Sequence, residues 1–161
     1  MKDKIYNHLD SLEIDYIKVN HAPLLNLDDC YKIKELNNKK LCKNLYLTTT
    51  NGNTRVFLII DADKKFKTSI VSHKLGTSRL SFSSSDDTIA HLKTMPGSLS
   101  IMSLLFRENN NILLAIDKDV IDRELFLCHP CINNETLIIK SEEIKNKLIP
   151  SLKIEYKIID I

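Results

Sequence analysis

The 161-residue sequence predicts an α/β domain with a mixed, largely antiparallel sheet and flanking helices. Short strand-like runs alternate with short amphipathic segments, and neighbouring strand-like runs are separated by turns rather than by long helical crossovers. The segment "KNLYLTTTNGNTRVFLIID" also places Asn51-Gly52 between two runs rich in β-branched and aromatic residues, the signature of a type I′ hairpin. Because tight turns join antiparallel strands whereas parallel strands need long crossovers, these observations favour antiparallel pairing.

The first helix is predicted near the amino terminus, where Ile5, Leu9 and Leu12 recur at helical spacing. A second is predicted in "LDDCYKIKELN". Its acidic pair, Asp28 and Asp29, falls in the first turn, where carboxylates complement the helix dipole.

Three further helices have recognisable ends. Gly76 closes "KTSIVSHKLG", the run from Ser84 to Asp87 caps "TIAHL", and Ser141 caps "SEEIKNKLI". The remaining apolar runs predict strands in "DYIKV", "ILLAID", "ELFLC", "ETLIIK" and "KIEYKII". No repeat or linker divides the chain, so residues 1–161 are expected to form a single domain.

The composition fits a soluble domain, with 43% hydrophobic and 27% charged residues. No run reaches the roughly 20 apolar residues of a membrane helix, and the charged amino terminus does not resemble a signal peptide, so a cytoplasmic location is expected. The formal net charge of +2 is too small to indicate by itself that the protein binds nucleic acid. Two lysine-rich segments can either meet phosphates or form a solvated face. They contain Lys32, Lys34, Lys39, Lys40 and Lys43, and Lys64, Lys65, Lys67, Lys74 and Arg79.

The run Cys128-His129-Pro130-Cys131 has the spacing of a redox or zinc motif. A redox pair is normally found at the start of a helix, which lowers the thiol pKa, whereas this pair follows a strand. A structural zinc site needs four ligands, and only the distant Cys30, Cys42 and His21 could complete one. Two inert, partly buried cysteines are the simplest interpretation, and no metal is predicted.

The loop "MPGSLS" contains the one glycine that the predicted turns do not explain. Pro96 fixes one φ angle, and Gly97 lacks a side chain that would keep a ligand from the backbone N–H groups. Such a loop can hold a carbonyl oxygen or its oxyanion, or it can be an ordinary type II turn. No Gly-x-Ser-x-Gly elbow or glycine-rich phosphate loop is present, so neither an esterase triad of that type nor a nucleotide cofactor is predicted.

Taken in order, five segments resemble the YbaK/prolyl-tRNA editing domain family, and within it the free-standing prolyl-tRNA editing proteins. They are "NHAPLLNLDDC", "LCKNLYLTT", "KLGTSRLSFSSSDD", "MPGSLS" and "CHPCINNETL". The resemblance implies a barrel-like central sheet and a pocket for the aminoacyl-adenosine end of tRNA. It implies a trans-editing hydrolase that deacylates mischarged alanyl-tRNA(Pro), without a cofactor. The partners expected are the acceptor end of tRNA(Pro) and a prolyl-tRNA synthetase.

The resemblance, read together with the loop chemistry, nominates two sets of site residues. The catalytic candidates are Lys43, Gly97, Ser98 and His129. The substrate-binding candidates are His21, Leu25, Asn44, Pro96, Pro130 and Asn133. The family's acidic position in the second helix corresponds to Asp28 or Asp29. Backbone N–H groups of Gly97 and Ser98 are expected to hold the carbonyl oxygen, Lys43 a phosphate or ribose hydroxyl, and Leu25 to narrow a pocket that excludes proline.

The sequence also departs from the family pattern after Gly97, where Ile101 stands in place of the usual proline. Lys93 and Ser103 occupy positions where glycine is common, and Asn134 follows Asn133 where threonine is usual. Three alternatives therefore stay open. They are deacylation of cysteinyl-tRNA(Pro) or another aminoacyl-tRNA, a binding module without hydrolysis, and a thiol oxidoreductase.

Overall fold

The computed structural model describes residues 1–108 and 111–161. Seven α-helical segments occur in the described residues, together with two 3₁₀ helices and one π-helical turn. The α-helices are α1 (Lys2–Ser11), α2 (Leu27–Tyr31), α3 (Thr68–Leu75), α4 (Ser85–Leu92), α5 (Lys118–Ile121), α6 (Ser141–Glu143) and α7 (Ile149–Leu152). The 3₁₀ helices are Pro96–Ser98 and Ile101–Phe106, and the π turn, Ile144–Leu148, joins α6 to α7.

Eight strands in the described part of the chain form two sheets. They are β1 (Tyr16–Asn20), β2 (Cys42–Thr49), β3 (Arg55–Asp61), β4 (Leu80–Phe82), β5 (Ile112–Asp117), β6 (Leu125–Cys128), β7 (Glu135–Lys140) and β8 (Tyr156–Ile159). One sheet has the order β1-β7-β6, and the other has the order β4-β2-β3-β5-β8. Four of the six strand pairs are antiparallel, and β3-β5 and β5-β8 are parallel. The predicted fold class is confirmed, although no closed barrel forms among the described strands.

The main apolar core lies between the two sheets. Phe57 and Ile59 on β3 belong to the same buried cluster as Phe126 on β6 and Leu137 on β7, and α1 adds Ile5 and Leu9. A second cluster covers the opposite face of the five-stranded sheet beneath α3, and a third lies beside α2. The relative position of the sheets therefore depends on the apolar packing between them.

Two of the predicted helix ends form, but the predicted cap by Ser141 is wrong, because Lys140 occupies the N-cap position of α6 and the Ser141 hydroxyl has no hydrogen-bond partner among the described residues. Ser84 accepts a hydrogen bond from the Asp87 N–H at 3.0 Å, and Gly76 ends α3 with a φ of 66°. The second predicted helix is shorter than expected. After Tyr31 the chain continues in turns, because the N–H groups of Ile33 and Leu36 bond to carbonyls only three residues back.

The predicted hairpin forms, but its predicted type I′ turn is wrong. Of the two turn residues only Gly52 has a positive φ, 71°. The loop is wider, closed by the bond from the Thr49 N–H to the Thr54 carbonyl at 3.0 Å. The Asn51 side chain accepts hydrogen bonds from the Thr49 hydroxyl and the Asn53 N–H, which stabilises the loop without a left-handed asparagine.

Candidate active site

The two sheets meet at a cleft whose walls come from β2, the 96–99 turn, the 24–27 loop and the end of β6. The cleft has a volume of about 280 Å³, and a smaller recess of about 50 Å³ shares five of its lining residues. Those shared residues are Leu27, Cys30, Cys42, Asn44 and His129. The remaining cleft walls include Leu24, Leu25, Lys43, Leu45, Pro96, Gly97 and Leu99.

Lys43 and Asn44 are neighbours on β2, and both line the cleft. The Lys43 Nζ donates a hydrogen bond to the Lys64 carbonyl at 3.0 Å. This bond uses one of three ammonium hydrogens, so two are left for a ligand. The Asn44 Oδ1 is buried and has no hydrogen-bond partner among the described residues. A buried acceptor without a donor costs free energy, which is typical of a site that awaits a polar ligand.

The Lys64 backbone that receives Lys43 is itself fixed. The Lys64 Nζ lies 2.9 Å from the fully buried Asp117 carboxylate and 2.7 Å from Asp119. Asp117 also accepts the Asp61 N–H at 3.1 Å. Burial alone would lower the pKa of Lys64, but the hydrogen bonds to Asp119 and Asp117 outweigh it and raise that pKa. The 61–64 turn is therefore a rigid support for Lys43.

His129 follows β6 and has a defined tautomer. Its Nδ1 lies 2.8 Å from the Glu135 backbone carbonyl, which can only accept, so Nδ1 carries the hydrogen. The Nε2 is then an acceptor, and it has no hydrogen-bond partner among the described residues. Burial lowers the pKa of His129, with a smaller contribution from nearby His21. A neutral imidazole with a free lone pair therefore lines the recess.

The Glu135 side chain fixes the segment that orients His129. Its buried carboxylate accepts hydrogen bonds from Lys2 and, at 2.5 Å, from the Tyr6 hydroxyl, so α1 is tied to the start of β7. Burial alone would raise the pKa of Glu135, but the hydrogen bonds from Lys2 and Tyr6 lower it overall. These contacts stabilise the segment whose carbonyl holds the His129 ring.

His21 lies beside His129, with the two ring centroids 6.4 Å apart. Its Nδ1 donates to the Ala22 carbonyl at 2.9 Å, and its Nε2 accepts from the Thr136 hydroxyl at 2.8 Å. Both nitrogens are thus occupied by the protein. His21 is absent from the cleft walls, so it supports the site rather than facing a ligand.

Asn133 joins the turn after His129 to the 21–26 loop. Its Nδ2 donates to the Leu24 carbonyl at 3.3 Å, and its own carbonyl accepts the Leu24 N–H at 3.0 Å. Neither Asn133 nor the buried Pro130 lines the cleft. Leu25, by contrast, stands at the cleft mouth with 86% of its surface exposed. Asn133 therefore positions the loop that carries Leu25.

The 96–98 turn contributes one backbone donor to the cleft. It is a 3₁₀ turn, and Gly97 does not have the positive φ that a type II turn requires, so that alternative is wrong. The Ser98 N–H donates to the Met95 carbonyl at 2.9 Å and Ser98 does not line the cleft, so the hydrogen expected to meet the substrate carbonyl is used within the turn. Among the described residues the Gly97 N–H has no acceptor. Gly97 is thus the oxyanion candidate that this turn offers.

A model of the family described as the aminoacyl-tRNA editing domain matches residues 21–147, which is most of the chain. The chain belongs to the aminoacyl-tRNA editing domain family. The resemblance expected from the sequence motifs is confirmed, as is the enzyme class, an aminoacyl-tRNA deacylase.

The prolyl-tRNA editing protein ProX of Acetoanaerobium sticklandii is 27% identical over 160 residues, covering 99% of this chain and 97% of that protein. Two crystal structures share the editing-domain fold at low sequence identity. The hypothetical protein APE2540 has a TM-score of 0.74 at 12% identity, with 97% of each chain covered. A protein proposed to be a trans-editing enzyme for prolyl tRNA synthetase has a TM-score of 0.69 at 8% identity, with 99% and 96% covered.

The four cysteines of this editing domain are free thiols. Burial raises the pKa of Cys128 and Cys131, and Cys128 ends a strand rather than beginning a helix. These properties oppose a thiolate nucleophile at this motif. The described residues contain no cluster of three or more His, Cys, Asp or Glu side chains arranged for a metal ion, and no described helix could span a membrane.

Six of the ten predicted site residues meet in the cleft of the editing domain: Leu25, Lys43, Asn44, Pro96, Gly97 and His129. Sequence reasoning missed Cys42 and Thr136, which line the recess, and also Leu27 and Cys30. Thr136 lies within the quoted "CHPCINNETL" segment and stands opposite Val19 in the β1-β7 pair, so a predicted register would have located it. Cys42 directly precedes Lys43 at the start of β2. Because side chains two residues apart share a face of a strand, alternation would have placed Cys42 on the same face as Asn44.

Proposed function

We propose that this editing domain, acting as one unit over residues 1–161, releases alanine from mischarged alanyl-tRNA(Pro). The observation that carries the proposal is the polarity of the cleft. Two acceptors that have no donor within the described part of the chain, Asn44 Oδ1 and His129 Nε2, line the recess, whereas two donors, the Lys43 ammonium and the Gly97 N–H, line the outer cleft. An aminoacyl ester has the complementary arrangement, because its α-ammonium group donates and its carbonyl, ribose and phosphate oxygens accept.

In the proposed complex the α-ammonium of alanine donates to Asn44 Oδ1 and His129 Nε2. Neutral His129 suits this role, because a protonated ring would repel the ammonium group and leave it without an acceptor. Lys43 holds a ribose hydroxyl or the terminal phosphate with the two hydrogens that Lys64 does not use. The Gly97 N–H donates to the ester carbonyl oxygen, and that bond strengthens as the oxygen becomes negative.

Hydrolysis then needs one water molecule and no covalent enzyme intermediate. The water oxygen adds to the carbonyl carbon, the bond from that carbon to the ribose oxygen breaks, and the ribose oxygen takes a proton. Alanine leaves with its carboxylate, and the tRNA regains its free hydroxyl. The neighbouring ribose hydroxyl is the proposed activator of the water, and His129 orients the substrate rather than acting as the general base, since its tautomer is set by a carbonyl and not by a carboxylate.

Selectivity against proline follows from the size of the recess. About 50 Å³ bounded by Leu27, Cys30 and Leu127 accommodates a methyl group beside the ammonium, whereas the proline ring needs more room in the same place. Because a few carbon atoms change binding by only about 1–3 kcal/mol, exclusion by buried, well-packed walls must supply much of the discrimination. Leu25 lines the mouth of the cleft and is placed to add to this exclusion.

The test is a deacylation assay with tRNA(Pro) charged with alanine, cysteine or proline. The expected result is release of alanine with retention of proline, and a loss of at least about 100-fold in kcat/KM for Lys43→Ala, which corresponds to about 3 kcal/mol of transition-state stabilisation. Lys4→Ala, an exposed lysine on α1, is the matched control and should retain activity. Wild-type protein that binds the acceptor end without hydrolysis would support a binding module instead, and faster release of cysteine would assign the cysteinyl substrate.

Docking to a prolyl-tRNA synthetase stays a prediction. It would be tested by adding the synthetase and measuring whether the deacylation rate at limiting alanyl-tRNA increases. The expected cytoplasmic location follows from the same proposal, because charged tRNA is the substrate.

A further inference from the structure

Beside the cleft lies a pair of aromatic rings that the proposed chemistry does not use, one exposed and the other half-buried against the apolar cluster beneath α3. Phe66 and Phe82 pack edge to face with ring centroids 5.7 Å apart. Phe82 leaves 61% of its surface exposed, although it belongs to the "LSF" run that was one of the recognised motifs. A large aromatic side chain in the open needs an explanation, because its burial would be favourable.

The position of this pair is set by the strand register. Phe82 on β4 stands directly opposite Leu47 on β2, so the two side chains lie on the same face of the sheet. Lys43 and Leu45 alternate onto that face as well, and both line the cleft. The distance along β2 from Lys43 to Leu47 is about 13 Å at about 3.3 Å per residue. The aromatic pair therefore flanks the cleft on the sheet face that carries Lys43.

The surrounding charge is positive. Phe66 lies in the run Lys64-Lys65-Phe66-Lys67, and the exposed Lys65 and Lys67 form no ion pair with the described residues. Lys64 is held by Asp117 and Asp119, and its carbonyl accepts the Lys43 Nζ. The segment that carries Phe66 is thus fixed against β2, and its surface presents two lysines that have no ion pair within residues 1–108 and 111–161.

We propose that Phe66 and Phe82 form a stacking platform for a base of the single-stranded 3′ end of tRNA, next to the nucleoside whose ester enters the cleft. Exposed aromatic rings alternating with cations are the arrangement by which proteins bind single-stranded nucleic acid, with bases stacking on the rings and phosphates meeting the lysines. The platform accounts for the exposure of Phe82 and for the unpaired Lys65 and Lys67. It rests on the proposed tRNA substrate, but it can be measured without hydrolysis.

The test uses an uncharged, fluorescently labelled stem-loop that ends in a single-stranded CCA sequence. Phe82→Ala should weaken binding, measured by anisotropy, about 5- to 100-fold, and Phe82→Trp should restore it, whereas Phe82→Leu should not. Tyr156→Ala is the matched control, because Tyr156 is an exposed aromatic residue on β8, at the opposite edge of the same sheet. Replacing both Lys65 and Lys67 by alanine should lower the salt dependence of binding by about 1.4 units of log-log slope, because each phosphate contact on a single strand contributes about 0.7.

A second measurement separates the platform from the active site. Phe82→Ala should lower kcat/KM for alanyl-tRNA by a similar factor and leave hydrolysis of alanyl-adenosine unchanged, because only the longer substrate reaches the platform. Equal losses on both substrates, unaltered stem-loop binding, or full rescue by Phe82→Leu would each overturn the platform. If wild-type protein binds the stem-loop but hydrolyses no aminoacyl-tRNA, the proposed deacylase function is refuted. The anisotropy measurements on the Phe82 variants still decide whether the platform exists.

Discussion

The His129 ring and the Glu135 backbone carbonyl share a hydrogen bond of 2.8 Å that leaves the other ring nitrogen as an acceptor. The bond joins the end of β6 to the start of β7, six residues later. Since Glu135 is also bound through its side chain to Lys2 and Tyr6, the amino-terminal helix contributes to the orientation of the imidazole that lines the cleft. The relationship leads to the first prediction.

Deacylation should fail on the acidic side as His129 becomes protonated. Burial lowers the pKa of His129 from its ordinary value of 6.5, so the neutral acceptor persists at neutral pH and is lost only as the pH falls below 6.5. The measurement is kcat/KM against pH, together with NMR titration of the ring. His129→Ala should abolish the acidic limb along with most activity, and His73→Ala, an exposed histidine on α3, should alter neither. A His129 ring that titrates above 6.5 would contradict this.

Asn44→Leu should separate activity from stability. The substitution keeps the side-chain shape but removes a buried carbonyl oxygen that has no donor in the described structure, so the free energy of unfolding should rise by about 1 kcal/mol. Activity should fall at least about 100-fold, because the α-ammonium loses an acceptor. Chemical denaturation measures the free energy of unfolding, and deacylation rates measure the activity.

Asn133→Leu provides the contrast, because Asn133 bonds to the Leu24 carbonyl and its loss should lower stability. A loss of stability for Asn44→Leu equal to that of Asn133→Leu would mean that Asn44 is a structural residue.

Gly97→Ala should impair catalysis without harming the fold. A methyl group at this position meets no atom within 4 Å, and Gly97 has no positive φ, so the free energy of unfolding should stay constant or rise by about 0.4–1 kcal/mol. If the ester carbonyl approaches the Gly97 N–H closely, the methyl group should crowd it and lower kcat/KM by about tenfold or more. Unchanged kinetics would remove Gly97 from the oxyanion role.

Glu135→Gln should reduce stability in a pH-dependent way. The pKa of Glu135 is lowered in the folded state, so its ionised form contributes stability that is present above the ordinary value of 4.5 and is lost as the pH falls through the folded-state pKa. At pH 7 the loss should be about 1–3 kcal/mol, and it should shrink towards pH 4. Thermal unfolding across this range measures the effect, with the exposed Glu142→Gln as control. A difference that does not change with pH would exclude the ionised carboxylate as its cause.

The sequence located the secondary structure best where the signal is local. The strands around Asn51-Gly52 were predicted from alternation and turn chemistry, and both formed, while the loop conformation was set by hydrogen bonds from the Thr49 hydroxyl that no turn dipeptide reveals. The second helix stopped early for a related reason. Leu36 is fully buried beside β6 and β7, and this tertiary contact favours a tight series of turns over a continued helix.

Within the site, residue identity was easier to predict than residue role. Lys43, Asn44 and His129 were nominated from motif resemblance, and they line one cleft. Ser98 is a predicted site residue because of its N–H group, but in the structure that group donates to the Met95 carbonyl within the turn. Whether such an internal hydrogen bond forms depends on the φ and ψ angles of the turn, which the sequence Pro-Gly-Ser does not determine. His21 bonds to the Thr136 hydroxyl and Asn133 to the Leu24 carbonyl, so both side chains hold the structure around the cleft. The sequence alone could not show this, because each partner comes from a distant segment of the chain.

Where the two sheets meet at the cleft, the Cys42 thiol of one sheet donates a long hydrogen bond of 3.6 Å to the Leu127 carbonyl of the other. Lys43 and Asn44 belong to one sheet and His129 to the other, so the width of the recess is set by the apolar residues that separate the sheets. Under the proposed function, discrimination between alanine and proline then depends on the packing of the entire apolar core between the sheets. Heating or a cavity among the core residues should make the enzyme less selective well before it makes the chain unfold.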